Sequence, residues 1–184
     1  MARVGSADPN NLTADASKAW DDLDKKGTLT NMQQTLLRDY GTFLAYRAWH
    51  YSWDSLVATL GIKDATIFAH AISRTGSCLL CSLFFVSDLR DLGVDPNEFE
   101  PDEREQLLID FAESIVKNPT AVPDELFARV RKAFNDDEIV VIVGFAGQMI
   151  AGNTFNSVLK VDVDGRLKPL EHTFTPATWR DAIK

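Results

Sequence analysis

Apolar residues recur at helical spacing along most of the chain. The pattern is clearest after Asp102, where apolar positions repeat every three to four residues and form one face of a predicted helix. Asp102 and Glu105 match a capping box, which places the start of this helix, and Pro119 ends it. A short helix should follow, with Pro123 at its first position. The residues on the apolar face are Leu107, Leu108, Phe111, Ala112, Ile115 and Val116.

Helices are also predicted in the first half of the chain, after a loose arm at 1–13. Thr30 and Gln33 form a second capping box, and the helix that begins there runs through an aromatic patch to Gly61. Trp49 and Trp53 in this patch are expected to line a buried stripe rather than to contact a substrate. The predicted segments are 14–26, 31–60, 63–74 and 78–92.

The last predicted helix is long and apolar. It begins with a capping pattern at Asn135 and Glu138 and continues to about Leu159, so we expect it to be central and buried. Its first residues, 139–143, also fit a buried parallel strand, but the cap and the helical neighbours favour the helix. The chain is therefore predicted to be all-α. Its parts are an N-terminal extension at 1–30, a helical domain at 31–160 and an irregular C-terminal tail at 161–184.

Composition and charge narrow the class of function. Hydrophobic residues make up 45% of the 184 residues and charged residues 25%, as in ordinary globular proteins. The net charge of −8 and the lack of a Lys/Arg cluster disfavour nucleic acid as a partner. The N-terminus lacks an apolar signal region, and no run approaches the length of a membrane span. We therefore expect a cytoplasmic protein with no membrane partner.

The candidate chemistry lies in the two cysteines, Cys78 and Cys81. Ser77 is predicted to cap a helix that begins beside them, and an i, i+3 pair shares one face at a separation that a disulfide can bridge. A helix N-terminus also lowers the pKa of a thiol. These features indicate reversible dithiol/disulfide exchange. The segment is apolar, however, so two buried structural cysteines remain an alternative.

A metal site is the weaker interpretation of these cysteines. Zinc needs four ligands, and the chain adds only three scattered histidines to the cysteine pair: His50, His70 and His172. The segment 162–165 is similar to a calcium loop but lacks the downstream glutamate, so it is predicted to be a turn. No cofactor signature is present, and none is expected.

Several segments occur in a recognisable order. A helix leads into Gly-x-Cys-x-x-Cys, and Asp-Glu-Arg-Glu-x-x-Leu-x-x-Phe-Ala, Pro-Asp-Glu-Leu and Asn-Asp-Asp-Glu-Ile follow. Over roughly residues 31–160 the chain resembles the carboxymuconolactone decarboxylase and alkylhydroperoxidase D-like family. The resemblance implies an alkylhydroperoxidase D-like helical bundle that forms homo-oligomers. In the peroxidase branch it implies a dithiol that reduces a hydroperoxide and is restored by a thiol reductant.

The chain departs from the peroxidase pattern at two positions. The family's pattern Glu-x11-Cys-x2-Cys-x3-His places its proton-relay glutamate at Thr66 and its histidine at Phe85. His70 lies one turn after Thr66 on the same face, and an imidazole with a pKa near ~6.5 is suited to accept a thiol proton. The predicted catalytic residues are therefore Cys78, Cys81 and His70, and His50 is a second candidate base.

Three functions remain open from the sequence. The first is a thiol-dependent peroxidase or disulfide oxidoreductase, in which the sequence does not decide which sulfur attacks. The second is a decarboxylase-like lyase acting on a small lactone acid, with Arg47 or Arg74 binding the carboxylate. The third is a non-catalytic redox-sensing protein, which the loss of both relay residues favours.

Overall fold

The computed structural model describes residues 2–95 and 97–171, and within them the only regular elements are helices. The prediction of an all-α fold is confirmed. His172 and the remainder of the predicted tail lie outside the described residues. The α-helices are α1 (Ala14–Lys25), α2 (Asn31–Leu36), α3 (Tyr40–Arg47), α4 (Trp49–Leu60), α5 (Ile62–Thr75), α6 (Leu79–Asp91), α7 (Glu103–Lys117), α8 (Asp124–Ala133) and α9 (Asp136–Leu159).

The three predicted capping boxes are present at the starts of α2, α7 and α9. In each, the cap side chain accepts the backbone N–H three residues later, and that residue's side chain accepts the cap N–H. These bonds satisfy amide groups that a helix start otherwise leaves without partners. Pro123 precedes α8 as its cap residue rather than forming its first position, one residue from the prediction.

The predicted helix at 31–60 is divided into α2, α3 and α4, so its continuity was wrongly predicted. The first break follows Leu37, where Asp39 becomes a new cap and accepts the Thr42 N–H at 2.7 Å. The second break is at Ala48, between α3 and α4. Apolar spacing persists across both breaks because each helix buries one face, α2 and α3 in a cluster with α1, and α4 in the central cluster. Gly61, with φ of 83°, ends α4 as predicted.

Helix α5 lies at the centre of the described fold and contacts α4, α6, α7 and α9. Phe68 and Ile72 of α5 are fully buried in one apolar cluster with Phe111 of α7 and Phe145 of α9. Each such side chain contributes about 1.5–3 kcal/mol to folding. Trp49 and Trp53 of α4 stack at a 5.3 Å ring separation and pack on Phe145. Both are only partly buried, so the predicted buried stripe is confirmed in part.

Helix α9 is less buried than the sequence predicts. It packs against α4 to α8, but Val140 is 71% exposed and Val143 is 43% exposed. By length and composition alone α9 is long and apolar enough to cross a membrane, so the expectation that no run approaches that length was wrong. Core helices of soluble proteins meet the same criterion.

Both ends of the described chain are fixed to the helices. The arm at 2–13 is not loose, because Arg3 N donates to Leu159 O at 2.8 Å and Ala7 N to Gln34 O at 3.0 Å. At the other end, Asp164 accepts the Asn31 N–H at 2.7 Å, and Leu167 is fully buried in the cluster that contains both cysteines. The segment 161–171 therefore covers the start of α6.

Candidate active site

The cysteines follow a tight junction between α5 and α6. Ser77 N donates to Arg74 O and Cys78 N donates to Ser73 O, both at 3.0 Å, which is the bonding pattern of a Schellman motif. Ser77 takes the left-handed position of that motif, with φ of 55°. It cannot also cap α6, so the prediction of a Ser77 cap was wrong. Cys78 is the cap instead, and its Sγ accepts the Cys81 N–H at 3.3 Å.

Gly76 is required at this junction for close packing. A Cβ on Gly76 would lie 3.1 Å from Ile72 O and 3.2 Å from Nδ2 of Asn153 in α9. Real Cβ contacts are seldom this short, so a side chain here would require its neighbours to shift by a few tenths of an ångström. The glycine therefore allows Asn153 of α9 to approach the end of α5 closely.

Cys78 and Cys81 are paired as a disulfide, with their Cα atoms 5.4 Å apart. The two sulfurs have different surroundings. Cys78 is 1% exposed and lies in the cluster with Leu167, whereas Cys81 is 8% exposed and lines an open cavity of about 200 Å³. A small molecule that enters the cavity therefore reaches Cys81 and not Cys78.

The wall of this cavity, here called the cysteine cavity, is mainly apolar. It is formed by α2, α3, α4, α6, α9 and Asp164 of the C-terminal segment. Its apolar and aromatic wall residues are Met32, Leu36, Phe43, Tyr46, Trp49, Leu80, Phe84, Phe85 and Met149. Among its polar residues are Arg47, His50, Gln148, Asn156 and Asp164.

Asn156 of α9 is the polar residue closest to the chemistry. It is 5% exposed, and its Nδ2 lies 3.3 Å from Cys81 Sγ and 3.3 Å from Met32 Sδ. A thioether sulfur only accepts hydrogen bonds, so the amide nitrogen rather than its oxygen is assigned to this side. Asn156 therefore donates a hydrogen bond to the sulfur that lines the cavity. Asn156 was not predicted from the sequence as a site residue. Its position as a polar residue within an otherwise apolar helix could have indicated it.

The two relay positions carry no group that exchanges protons at the cavity. Thr66 is buried, and its hydroxyl donates to Ile62 O of its own helix at 2.7 Å. Phe85 presents its ring to the cavity and packs against Trp53 at a 6.0 Å ring separation. The structure thus places an apolar surface where the family pattern has a histidine.

His70 is placed in the wall of a second cavity of about 260 Å³, together with Arg74, Gln106 and Glu113. Among the described residues, none lines both cavities. Burial, and secondly the charge of Arg74, lower the pKa of His70 to about 4. At neutral pH the imidazole is therefore uncharged and a weaker base than the sequence hypothesis requires. Arg74 itself is paired with Glu113 at 2.7 Å.

Arg47 and His50 are brought to the cysteine cavity instead. The Arg47 guanidinium carbon lies 5.9 Å from the centre of the Phe43 ring, so the cation rests over an aromatic wall residue. Burial, followed by the charge of Arg47, lowers the pKa of His50 below its usual value. His50 therefore stands in this wall as a mainly neutral imidazole at neutral pH.

Fold and site together define an all-helical protein with a dithiol at the start of a helix, one sulfur of which opens into an apolar cavity. Two crystal structures share this fold. One is an uncharacterized peroxidase-related protein from Silicibacter sp. TM1040, with 18% sequence identity, a TM-score of 0.71, and coverage of 88% of this chain and 90% of that one. The other is an alkylhydroperoxidase AhpD core, an uncharacterized peroxidase-related protein from Ralstonia eutropha JMP134, with 19% identity, a TM-score of 0.70, and coverage of 91% and 94%.

The similarity shows that this chain has the alkylhydroperoxidase D-like fold, which confirms the fold predicted from the resemblance. The sequence itself matches no protein-family model and no curated protein.

Proposed function

We propose that the protein is a thiol-dependent oxidoreductase that reduces hydroperoxides with Cys78 and Cys81. The observation that carries this proposal is the asymmetry of the pair: the sulfurs are bonded to each other, but only Cys81 lines the cavity. Such a pair supplies one sulfur to meet the substrate and a second, protected sulfur to resolve the product. The two structural neighbours are themselves described as peroxidase-related.

The reaction balances with these two residues and a thiol reductant. In the reduced protein the Cys81 thiolate attacks one oxygen of ROOH; the O–O bond breaks, and ROH leaves after taking up a proton. The Cys81 sulfenic acid then reacts with the Cys78 thiol, which forms the disulfide and releases water. Two external thiols reduce the disulfide and become a disulfide themselves. Asn156 stabilises the Cys81 thiolate by donating its amide hydrogen.

Single cysteine variants test this assignment. Cys81→Ser should abolish hydroperoxide reduction, because no other cysteine lines the cavity. Cys78→Ser should reduce one equivalent of hydroperoxide and then accumulate a sulfenic acid, which a dimedone adduct detects by mass spectrometry. In the unmodified protein, one equivalent of hydroperoxide should remove two hydrogen atoms from the reduced pair. Full turnover by both serine variants would exclude the mechanism.

A lyase acting on a small lactone acid is the second candidate, because Arg47 lies in the cavity wall and suits a carboxylate. This activity needs no thiol. It should therefore persist after both cysteines are alkylated, whereas hydroperoxide reduction should not.

A redox-sensing protein without turnover is distinguished by the chemistry of the thiols. The rate of cysteine alkylation is measured against pH in the reduced protein. A thiol pKa near the free value of ~8.5 indicates a structural or sensing pair, and a lowered pKa indicates catalysis.

A further inference from the structure

The cysteine cavity contains a cation with no acidic partner. Arg47 ends α3, and its guanidinium lies over the Phe43 ring. Within residues 2–95 and 97–171, no ion pair involves Arg47. The neighbouring His50 is mainly neutral at neutral pH because burial and Arg47 lower its pKa. Among the described residues that line the cavity, Arg47 therefore carries the positive charge. Arg166 lies 4.6 Å from the centre of the Phe84 ring but does not itself line the cavity.

The other described wall residues form no ion pair with Arg47. Most of the wall is aromatic or aliphatic. Asp164 is the one carboxylate among the residues that line the cavity, and it accepts the Asn31 N–H at 2.7 Å. An apolar cavity with one free guanidinium and a reactive sulfur suits a molecule that is apolar in its body and anionic at one end.

We propose that the substrate is a small organic hydroperoxide that carries a carboxylate. Arg47 binds the carboxylate, the aromatic wall binds the hydrocarbon body, and the hydroperoxide meets Cys81. The cavity of about 200 Å³ sets the size class, which is that of a small organic molecule. This inference rests on the proposed peroxidase function and names the substrate class of the same site.

Arg47 contacts a part of the substrate that does not react. Its contribution is therefore the same in the ground state and in the transition state, and its loss should raise KM and leave kcat nearly unchanged. Loss of a hydrogen bond between charged groups at a partly exposed site should raise KM about tenfold.

Cumene hydroperoxide and its para-carboxylated form are a matched pair of substrates, because they differ only in the carboxylate. Wild-type protein should have a KM about tenfold lower for the carboxylated form, and Arg47→Gln should remove the difference between the two substrates. Arg47→Lys should restore part of it. Arg129→Gln is the control, because Arg129 is an exposed arginine of α8 that does not line the cavity. Equal KM values for both substrates in the wild type would overturn the inference while leaving the peroxidase function intact.

Binding without turnover provides a separate readout. Para-isopropylbenzoate has the same body and carboxylate but no peroxide, and Trp49 in the cavity wall should report its binding by a change in fluorescence. The dissociation constant should rise about tenfold in Arg47→Gln and stay unchanged in Arg129→Gln. Arg47-dependent binding together with no reduction of either hydroperoxide would support the carboxylate site and reject the peroxidase function. Binding that is absent, or equal in wild type and Arg47→Gln, would overturn the inference.

Discussion

Replacing Asn156 by leucine should raise the pKa of the Cys81 thiol in the reduced protein. The Asn156 amide is 5% exposed and donates to Cys81 Sγ at 3.3 Å, so water does not replace it readily when it is lost. A hydrogen bond to a charged group contributes about 1.5–3 kcal/mol. Sulfur is a weak acceptor, so we take the lower end of this range, and at 1.36 kcal/mol per unit the expected rise is about one pKa unit. Leucine has the same number and branching of side-chain heavy atoms as asparagine but cannot donate a hydrogen bond.

The measurement is the rate of iodoacetamide alkylation against pH in a Cys78→Ser background, where Cys81 is the one remaining cysteine. Asn153→Ala is the matched control. Asn153 lies in the same helix and is 4% exposed, but its amide is directed at Ile72 O at 3.5 Å and not at a sulfur. It should therefore leave the pKa of Cys81 unchanged.

A second variant tests the direction of the change in the pKa of Cys81. Asn156→Asp replaces a donor by a carboxylate beside the sulfur, so the pKa of Cys81 should rise further than in Asn156→Leu. If Asn156→Leu keeps its helical circular dichroism and the pKa of Cys81 does not change, the assigned role of Asn156 is refuted.

The remaining predictions concern a buried acid, the second cavity and the relay. Burial raises the pKa of Asp88 to about 6 against the opposing charge of Arg166, so its ionisation should cost stability as pH rises from about 4 to about 6. In Asp88→Asn, the free energy of unfolding measured in urea should no longer fall between about pH 4 and pH 6. At neutral pH it should be about 1–2 kcal/mol higher than in the wild type, after allowance for the partial exposure of Asp88. His70→Gln should leave the alkylation pKa of Cys81 unchanged, because His70 lines the second cavity; a raised pKa would support the sequence hypothesis of a His70 base. Phe85→His should increase hydroperoxide turnover about tenfold or more and cost about 1–3 kcal/mol of stability in urea unfolding; an unchanged rate in folded protein would count against a missing relay group.

Local chemistry explains what the sequence predicted correctly. Each capping box spans four residues, so the starts of α2, α7 and α9 follow from adjacent letters. The cysteine pair is also local, because an i, i+3 spacing at a helix start fixes its geometry. Ser77 shows the limit of such reasoning. Ser77 has a left-handed backbone because it belongs to the C-terminal motif of α5. The cap of α6 is therefore Cys78, one residue later, and this depends on how α5 ends as well as on how α6 begins.

The rest of the site depends on packing between distant segments. Asn156 is 75 residues from Cys81 in the sequence, and Met32 is 124 residues from Asn156. No periodic pattern specifies that these three side chains meet; they meet where α2, α6 and α9 come together. The same holds for the histidines. The segment that carries His70 was correctly predicted to be a helix, but the sequence does not show which cavity His70 lines.

Under the proposed peroxidase function, having Thr66 and Phe85 at the two relay positions changes which step the protein can accelerate. A neutral amide at Cys81 stabilises the thiolate without taking part in proton transfer, so thiolate formation no longer requires a glutamate or histidine. The leaving alkoxide still needs a proton, and Phe85 cannot provide one. Because the cavity is open, water can deliver that proton, which is slower than transfer from a positioned acid. The phenyl ring gains apolar contact with the substrate in exchange. We therefore expect this protein to discriminate among hydroperoxides chiefly through binding, so that differences between substrates appear in KM more than in kcat.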